Sequence, residues 1–510
     1  MLTIFSKNFQ ALNMTHLQIV IASLALIYLV YTVQVGRKLS AFPGPFLTRY
    51  TNWWKVYHVY KGDYTQILRD WHEHHGSLIR IGPNSLSVAE PREVSKIHGI
   101  SPIFHKGKMY KPLIGWFKGR NVAGLESLLD SKEHTTLKRI ILPAFSTTAV
   151  AQYESRIDCC ADELVGHIAR LGTFDITKWM KWYSIDSINM VAFSSTPGFM
   201  KNGQDIDKTL ETVQSMLTMM IFTYPVATAF MWIAWATSFI GHYIVPTVPF
   251  VKLGVQHVNA RLADPKKSQV DILGTYMMAR QMQPTVFTDE KLVGMTLSIV
   301  IAGSDTTALI LIWTLYALMR DEVVTAKLQV EIENAMQQGT LSYPPSLKEL
   351  SSLPYLNATM KEGLRYTMML QVGLERTVPP DMEVCSRPIP EGTALGCHQA
   401  IIHMDRGVFG EDATTFNPSR WIDCSEERRR LMDRCGLWFG QGKHLCIGQH
   451  IARAEMLKVL AMMFMKLDLS PSDKDATMVS KCVNMFRFPT VPYYVSVKKK
   501  DMVSHLESSG

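Results

Sequence analysis

The sequence predicts a mainly α (α+β) fold: one large helical domain with small β-sheets, behind an N-terminal transmembrane helix. Three observations lead there. Apolar residues recur at helical spacing through 131–170, 289–320, 321–337, 354–368 and 448–466. Strand signals are short and few, at 78–88 and 489–497. A charge-free apolar run, 17–35, precedes the rest.

The run 17–35 is long enough to cross a hydrocarbon core, which takes about 20 residues. Gly36-Arg37-Lys38 follows at once, and only Lys7 and the amino terminus are positive before the span, which predicts a body facing the cytosol. A cleaved secretory signal is the rival reading. It would have a shorter apolar core and a small-residue cleavage site, and Arg37-Lys38-Leu39-Ser40 is not one. Next comes Phe42-Pro43-Gly44-Pro45, which cannot continue a helix and predicts a stiff turn orienting the domain.

The body is expected to be undivided. With 510 residues, 47% of them hydrophobic, it can bury a large core, and no Pro/Gly/Ser-rich linker, repeat or low-complexity block interrupts it. The predicted division is 1–38 as anchor and 39–510 as one domain. Within it, 78–88 reads as a hairpin around Gly82-Pro83-Asn84-Ser85. Thr288 is an N-cap for a helix running to about Arg320, with Asp289 and Glu290 in its first turn. That helix would be roughly 48 Å long and cross the whole domain.

The segment 212–251 holds no Asp, Glu, Lys or Arg. Its size predicts contact with membrane or substrate. Pro225 interrupts it, so an interfacial segment beside the anchor is favoured over a second span, with plain core helices the other alternative.

Charge and cysteine exclude some classes. A net charge of +8 from 53 basic and 45 acidic residues, without a long basic stripe, argues against nucleic acid. The eight cysteines show no C-x-x-C pair or framework spacing, which predicts a reduced, cytosol-facing domain without a zinc site.

Chemistry concentrates at Phe439-Gly440-Gln441-Gly442-Lys443-His444-Leu445-Cys446-Ile447-Gly448. Its glycines permit tight turns and close approach of a flat ligand. Cys446 stands just before a helical run, where the helix N-terminus favours a thiolate, the form that binds iron. A lone buried cysteine is usually a small hydrophobe. The whole segment, however, resembles F-x-x-G-x-x-x-C-x-G, the signature of the cytochrome P-450 family.

Further motifs carry the same resemblance. Ala302-Gly303-Ser304-Asp305-Thr306-Thr307 is similar to the family's A-G-x-D-T-T. Glu362-Gly363-Leu364-Arg365 is its E-x-x-R, and 416–421, with Arg420, resembles its P-E-R segment. His134 and Lys138 match its (Trp/His)-x-x-x-(Arg/Lys) helix. Ser419 stands where Glu is common, His444 where Arg is usual, and the frequent proline after Arg365 is missing. None of these departures removes a group the mechanism needs.

The resemblance implies the cytochrome P-450 fold, heme b with Cys446 as axial iron ligand, and a monooxygenase. Asp305 and Thr306 would deliver protons to dioxygen. Phe439, Gly442, His444 and Gly448 would shape the ligand loop, and Arg376, His134, Lys138 and His444 would hold the propionates. Gly303 would leave room for the bound plane or dioxygen. Glu362, Arg365 and Arg420 would form a structural network. NADPH-derived electrons would come from a separate NADPH–cytochrome P-450 reductase, met by Lys443, Arg428, Arg429, Arg430 and Arg453. The implied location is the endoplasmic reticulum membrane, single-pass, and the implied substrate is a lipophilic small molecule of fungal secondary metabolism. A heme-thiolate isomerase or dehydratase, or a non-catalytic heme sensor, are the alternatives; the intact Asp305–Thr306 pair argues against them.

Overall fold

The computed structural model describes residues 14–101, 103–117, 119–241, 248–263, 270–483 and 485–500. Lys7, and 242–247 within the charge-free segment, lie outside the described residues.

Helix α1, Met14–Arg37, contains the whole apolar run and is roughly 36 Å long. Ile19, Leu26, Ile27 and Tyr31 are exposed along it. Its C-terminal end is seated on the body: a Cβ at Gly36 would lie 2.6 Å from Arg80 Nη2 and 2.7 Å from the Arg49 carbonyl. The Pro43-Gly44-Pro45 turn is pinned there too, since the Arg80 amide donates to the Pro43 carbonyl at 2.6 Å.

The 78–88 hairpin forms as β1, Leu78–Gly82, and β2, Ser85–Val88. It belongs to a five-stranded sheet completed by β3, His105–Lys106, β4, Arg376–Thr377, and β5, Ala394–Cys397, in the order β1-β2-β5-β4-β3. The β5–β2 pair is parallel and the others are antiparallel. Near the C-terminus, 489–497 does not act as one unit. Phe486–Pro489 pairs with Ser480–Val483, whereas Tyr494–Lys499 lies between Leu467–Pro471 and Thr173–Asp175 in another sheet.

The helical stretch 131–170 divides at Pro143 into α2, Ser131–Ile141, and α3, Thr147–Leu171. Both are capped by side chains, Asp130 and Ser146. Helix α4, Ile176–Phe193, follows. It is buried nearly all round, and so carries little amphipathic pattern.

The charge-free segment breaks where Pro225 was expected to interrupt it. Thr209–Met220 is helical, Ile221–Val226 is a 3-10 turn, and α5, Ala227–Gly241, follows. Ile206–Phe239 taken as one stretch is apolar and long enough to cross a membrane. The turn divides it, and α5 alone reaches only about 22 Å.

Helix α6, Asp289–Arg320, starts at its Thr288 cap and runs through the middle of the domain. From Ala308 to Leu315 every residue is buried, as a helix apolar on all sides must be. Helices α4, α7 (Pro354–Thr367) and α8 (Gln449–Lys466) pack around it. Its first half shares a core cluster with α2, α3 and the start of α8, and its second half shares another with α4 and the rest of α8.

Candidate active site

The packing along α6 opens most at its middle. Ala302 is exposed and Thr306, one turn on, is half-buried, although Ser304, Asp305 and Thr307 are buried. Cys446, in the glycine-rich loop Phe439–Gly448, likewise has open surface, although it lies deep within the fold. These open positions lie on two elements in contact, since α8, which follows Cys446, packs onto α6, and the space left beside them is the hollow. Ile447 and Ile451 pack with Ile299 and Val300. Glu455, two turns later, accepts hydrogen bonds from Ser187 Oγ (2.7 Å) and the Thr307 hydroxyl.

The Cys446 loop is shaped by local constraints. Gly440 and Gly442 have φ of +69° and +59°, the left-handed region that favours glycine. A Cβ at Gly442 would also meet the His98 carbonyl at 2.3 Å. The Cys446 amide donates to the Phe439 carbonyl at 2.8 Å, and the Arg453 guanidinium lies over the Phe439 ring at 5.2 Å. Gly448 has no such backbone reason, but nothing lies within 4 Å of its Cβ position. The amides of Gly448 and Gln449 hydrogen-bond the Cys446 sulfur. The expectation that the helix end lowers this thiol's pKa is corrected in sign. Burial raises it, and the two amides and Lys138 pull back only in part. The helix end opposes desolvation but does not overcome it.

Beside the hollow stands a group of cations. Register places Lys106 of β3 directly opposite Arg376 of β4, on one face. His134 and His444 are edge-on at 4.6 Å between ring centroids. Lys138 Nζ donates to the carbonyls of Lys443 and Leu445, at 3.0 and 3.1 Å. Arg376 donates to the Tyr110 hydroxyl at 2.9 Å. Among the described residues no carboxylate forms an ion pair with Lys106, Lys138, Arg376 or Lys443. Burial and the neighbouring cations push His134 down to about 3, His444 to about 2, and Lys106 to about 7. Among the described residues, His134 Nδ1, both nitrogens of His444 and both of the buried His98 find no hydrogen-bond partner.

This arrangement fits a flat dianionic cofactor with one sulfur ligand. Two carboxylates would neutralise the cations and occupy the unpartnered ring nitrogens, and Cys446 faces the adjoining space. The residues present therefore suit heme.

Gly303 needs a correction. A Cβ there would lie 2.5 Å from Ile188 Cγ1 of α4, so the missing side chain allows two helices to approach, not a bound plane. Asp305 and Thr306, expected to deliver protons, point to different sides of α6. They leave the helix about 100° apart. Thr306 Oγ1 donates to the Ala302 carbonyl at 2.7 Å at the hollow. Asp305 is buried, which raises its carboxyl, with Lys181 of α4 as the countercharge.

Glu362, Arg365 and Arg420 come together as a buried network. Arg365 grips Glu362 with two bonds, of 2.6 and 2.9 Å, and donates to the carbonyls of His403, Ala413 and Thr415. Arg420 Nε reaches Glu362 at 3.3 Å, and Trp421 Nε1 at 2.9 Å. Asp412 adds a carboxylate on Arg420, at 2.6 and 2.9 Å. His403 Nε2 then accepts from the Leu437 amide at 3.0 Å, which ties the network to the start of the cysteine loop. Sequence reasoning did not find His98, Lys106, Tyr110, His403, Asp412 or Glu455. Strand register alone signals Lys106, and only once β3 and β4 are known to pair.

On the loop's outer side the expected basic patch is partly self-compensated. Arg429 and Arg430 both pair with Glu426, at 3.3 and 3.0 Å.

A cysteine-headed hollow with a propionate-sized cation cluster defines a heme-thiolate protein. A family model described as Cytochrome P-450 matches residues 43–497, and the chain belongs to that family. It is similar to a cytochrome P-450 monooxygenase of Aspergillus terreus, 29% identical over 91% of this chain and 96% of the relative. The monooxygenase gsfF of Penicillium aethiopicum is 29% identical over 85% of this chain and 89% of its own length. The monooxygenase mpaDE' of Penicillium brevicompactum is 30% identical over 85% of this chain, which spans about half of that protein (52%). The chain is thus a heme-thiolate monooxygenase that uses O2 and NADPH-derived electrons from a reductase; the isomerase and sensor readings find no support.

Proposed function

We propose that this protein hydroxylates, or oxidises in several steps, a lipophilic secondary metabolite of terpenoid, polyketide or alkaloid type, as a single-pass enzyme of the endoplasmic reticulum facing the cytosol. The observation that carries this reading is a continuous apolar exterior near the anchor. Phe46, Leu47, Trp53, Tyr57 and Tyr60 are exposed after α1, and Met219, Phe222, Trp232 and Ile233 are exposed in the charge-free segment. The Tyr60 and Phe222 rings are 5.6 Å apart, which joins the two groups. Such a belt suits a membrane interface, and α5 lies in that interface without spanning it. Residues 1–38 then act as anchor and 39–510 as one domain.

When bound, heme activates dioxygen with two electrons and two protons, placing one oxygen atom in the substrate and releasing the other as water. Cys446 would supply the sulfur that holds its iron. The Gly448 and Gln449 amides temper its charge. Phe439, Gly442 and Gly448 would shape the loop that carries this sulfur. Arg376, His134, Lys138 and His444 bind the propionates, joined by Lys106. Thr306 presents its hydroxyl oxygen to the hollow, its proton being engaged by Ala302. Asp305 takes protons from the Lys181 side. Because the two side chains diverge, water in the hollow links them. Glu362, Arg365 and Arg420 maintain the loop's support and touch no reactant. The NADPH–cytochrome P-450 reductase docks on the cysteine-loop side, at Lys443, Arg428 and Arg453.

The test is the carbon monoxide difference spectrum of the dithionite-reduced protein in microsomes. A strongly red-shifted Soret band in the wild type and its loss in Cys446→Ala are expected. A band at the ordinary imidazole-ligated position in folded wild type would overturn the ligand assignment. Screening lipophilic metabolites for substrate-dependent NADPH consumption then tests the substrate class.

A further inference from the structure

Gly294 and Ser298, one turn apart on α6, both face the loop 121–126. A Cβ at Gly294 would lie 2.3 Å from the Val122 carbonyl oxygen, and a Cβ at Gly124 would lie 2.5 Å from Ser298 Cβ. The same i, i+4 line continues along α6 to Ala302 and Thr306, the residues open at the hollow. Ser298 stands at the rim of that opening, about 12 Å along the helix axis from Thr306.

The Ser298 hydroxyl donates to Glu126 Oε2. The backbone of Glu126 is tied from the other direction, since Lys106 Nζ donates to the carbonyls of Leu125 and Glu126 at 3.0 and 2.7 Å. The Glu126 side chain is thus held between the cation cluster and the open side of α6, and it is exposed. Lys106 spends its ammonium on the two carbonyls, and only a longer-range attraction joins it to the carboxylate. Carboxylates nearby on α2 and α6 are taken by cations, Glu133 by Lys291 and Glu290 by Arg120. Among the described residues Glu126 forms no ion pair, and Ser298 is the one donor to its carboxylate.

Seating the loop does not require this carboxylate, because the two glycine contacts and the Lys106 bonds already fix it. A carboxylate has about four acceptor sites, so most of its capacity is unspent beside the opening at Ala302. A cation bearing an N–H gains most from such a group, through a charge-assisted hydrogen bond. Without that partner, moving the cation from water against an apolar helix is costly. A neutral hydrocarbon gains nothing from Glu126.

We propose that Glu126, oriented by Ser298, is a specificity-determining residue that binds a protonated amine on the substrate. The substrate is then a lipophilic molecule with a basic nitrogen, the alkaloid type among the classes named above, its apolar body lying along α6 towards Thr306. This rests on the lipophilic-substrate reading. Ser298 acts through Glu126, as a positioning residue.

The test uses full-length holoprotein in phosphatidylcholine nanodiscs, as wild type, Glu126→Gln and Ser298→Ala. Two probes of one shape are titrated at pH 7 and followed by the Soret band: N,N-dimethyldecylamine, protonated there, and 2-methyldodecane, in which a CH replaces the nitrogen. Dodecanol serves as a neutral donor. Each probe is compared across variants in the same lipid, so its partition cancels. Glu126→Gln is expected to weaken amine binding by about 10- to 100-fold, the range for a hydrogen bond to a charged group, and to leave the alkane and the alcohol unchanged. Ser298→Ala should weaken the amine in the same selective way, by less. An unchanged amine Kd in Glu126→Gln overturns the proposal. An equal loss for the alkane overturns it too, since the hollow has then changed shape, and so does an equal loss for the alcohol, since Glu126 then takes neutral donors. A red-shifted Soret band with the amine in wild type puts the nitrogen on the iron, at the wrong end, and likewise overturns it. If Glu126→Gln fails to hold heme, Ser298→Ala decides by the same comparison. A wild type that binds the alkane but not the amine overturns this proposal alone; one that binds neither overturns the lipophilic-substrate reading and this proposal with it.

Discussion

Replacing Arg365 by lysine keeps the charge but removes the geometry. Arg365 is fully buried and makes five hydrogen bonds, two to Glu362 and three to the carbonyls of His403, Ala413 and Thr415. A lysine has three donors, so at least two buried acceptors lose their partner. Each costs about 1–3 kcal/mol, and breaking a buried pair outright costs about 3–5 kcal/mol, so ~4 kcal/mol is expected. A domain of this size unfolds with an entropy of roughly 1 kcal/mol per kelvin, which makes the loss roughly 4 °C in Tm. The effect should also reach the cysteine loop, because His403, whose carbonyl Arg365 holds, receives the Leu437 amide. The assay is thermal unfolding of the holoprotein, paired with the fraction of carbon monoxide complex that keeps the red-shifted thiolate band. A midpoint within about 1 °C of wild type, with the full thiolate band, would refute the claim that this network supports the ligand loop.

Thr306→Ala should retain heme and the thiolate spectrum but uncouple electron use from product by on the order of 100-fold, the low end for a lost proton-transfer group; coupled turnover equal to wild type would remove Thr306 from proton delivery. Gly303→Ala should destabilise by about 1–3 kcal/mol through overpacking on Ile188, with recovery in Gly303→Ala/Ile188→Ala, which removes the Cγ1 that the new methyl would meet. Measured heme content and coupling should be unchanged in both, whereas a stable but uncoupled Gly303→Ala would restore the access role. His403 is buried and held down to about 3 by burial and Arg365. Its folded pKa lies below the unfolded 6.5, so its stabilising effect is complete above pH 6.5 and is lost as pH falls towards 3. The loss is ~1.4 kcal/mol per unit, or about 2 kcal/mol at pH 5. Urea unfolding at pH 7 and pH 5 should show that much less acid sensitivity in His403→Gln; equal sensitivity would mean that the imidazole is solvated.

The parts legible in the sequence were those where chemistry is local. The ligand loop packs its turn glycines, its cysteine and its following helix into consecutive residues, and Thr288, Asp289 and Glu290 announce the long helix that follows. Glu362 and Arg365 were legible only as a family motif, since the i, i+3 spacing alone also fits an exposed pair; their burial belongs to the tertiary structure. The reach of α6 across the domain followed from its uniform apolar character, and the break at Pro225 from its missing amide hydrogen.

The tertiary structure decided whatever depends on direction or on distant partners. Gly303 serves helix packing because α4 lies against that face of α6, and α4 is too evenly buried to show a periodicity that places it there. Asp305 and Thr306 are adjacent in the chain yet face Lys181 and the hollow, since a helix turns its side chains by a fixed angle. Lys106 joins Arg376 only through strand pairing across about 270 residues, and Ser298 meets Glu126 across 172. The sequence by itself singled out Cys446 in its glycine-rich loop and the long apolar helix 289–320, because those are properties of short segments. How cations gather beside the cysteine loop and how a thiol is raised by burial are sums over residues far apart in the chain, and only the packed fold performs that sum.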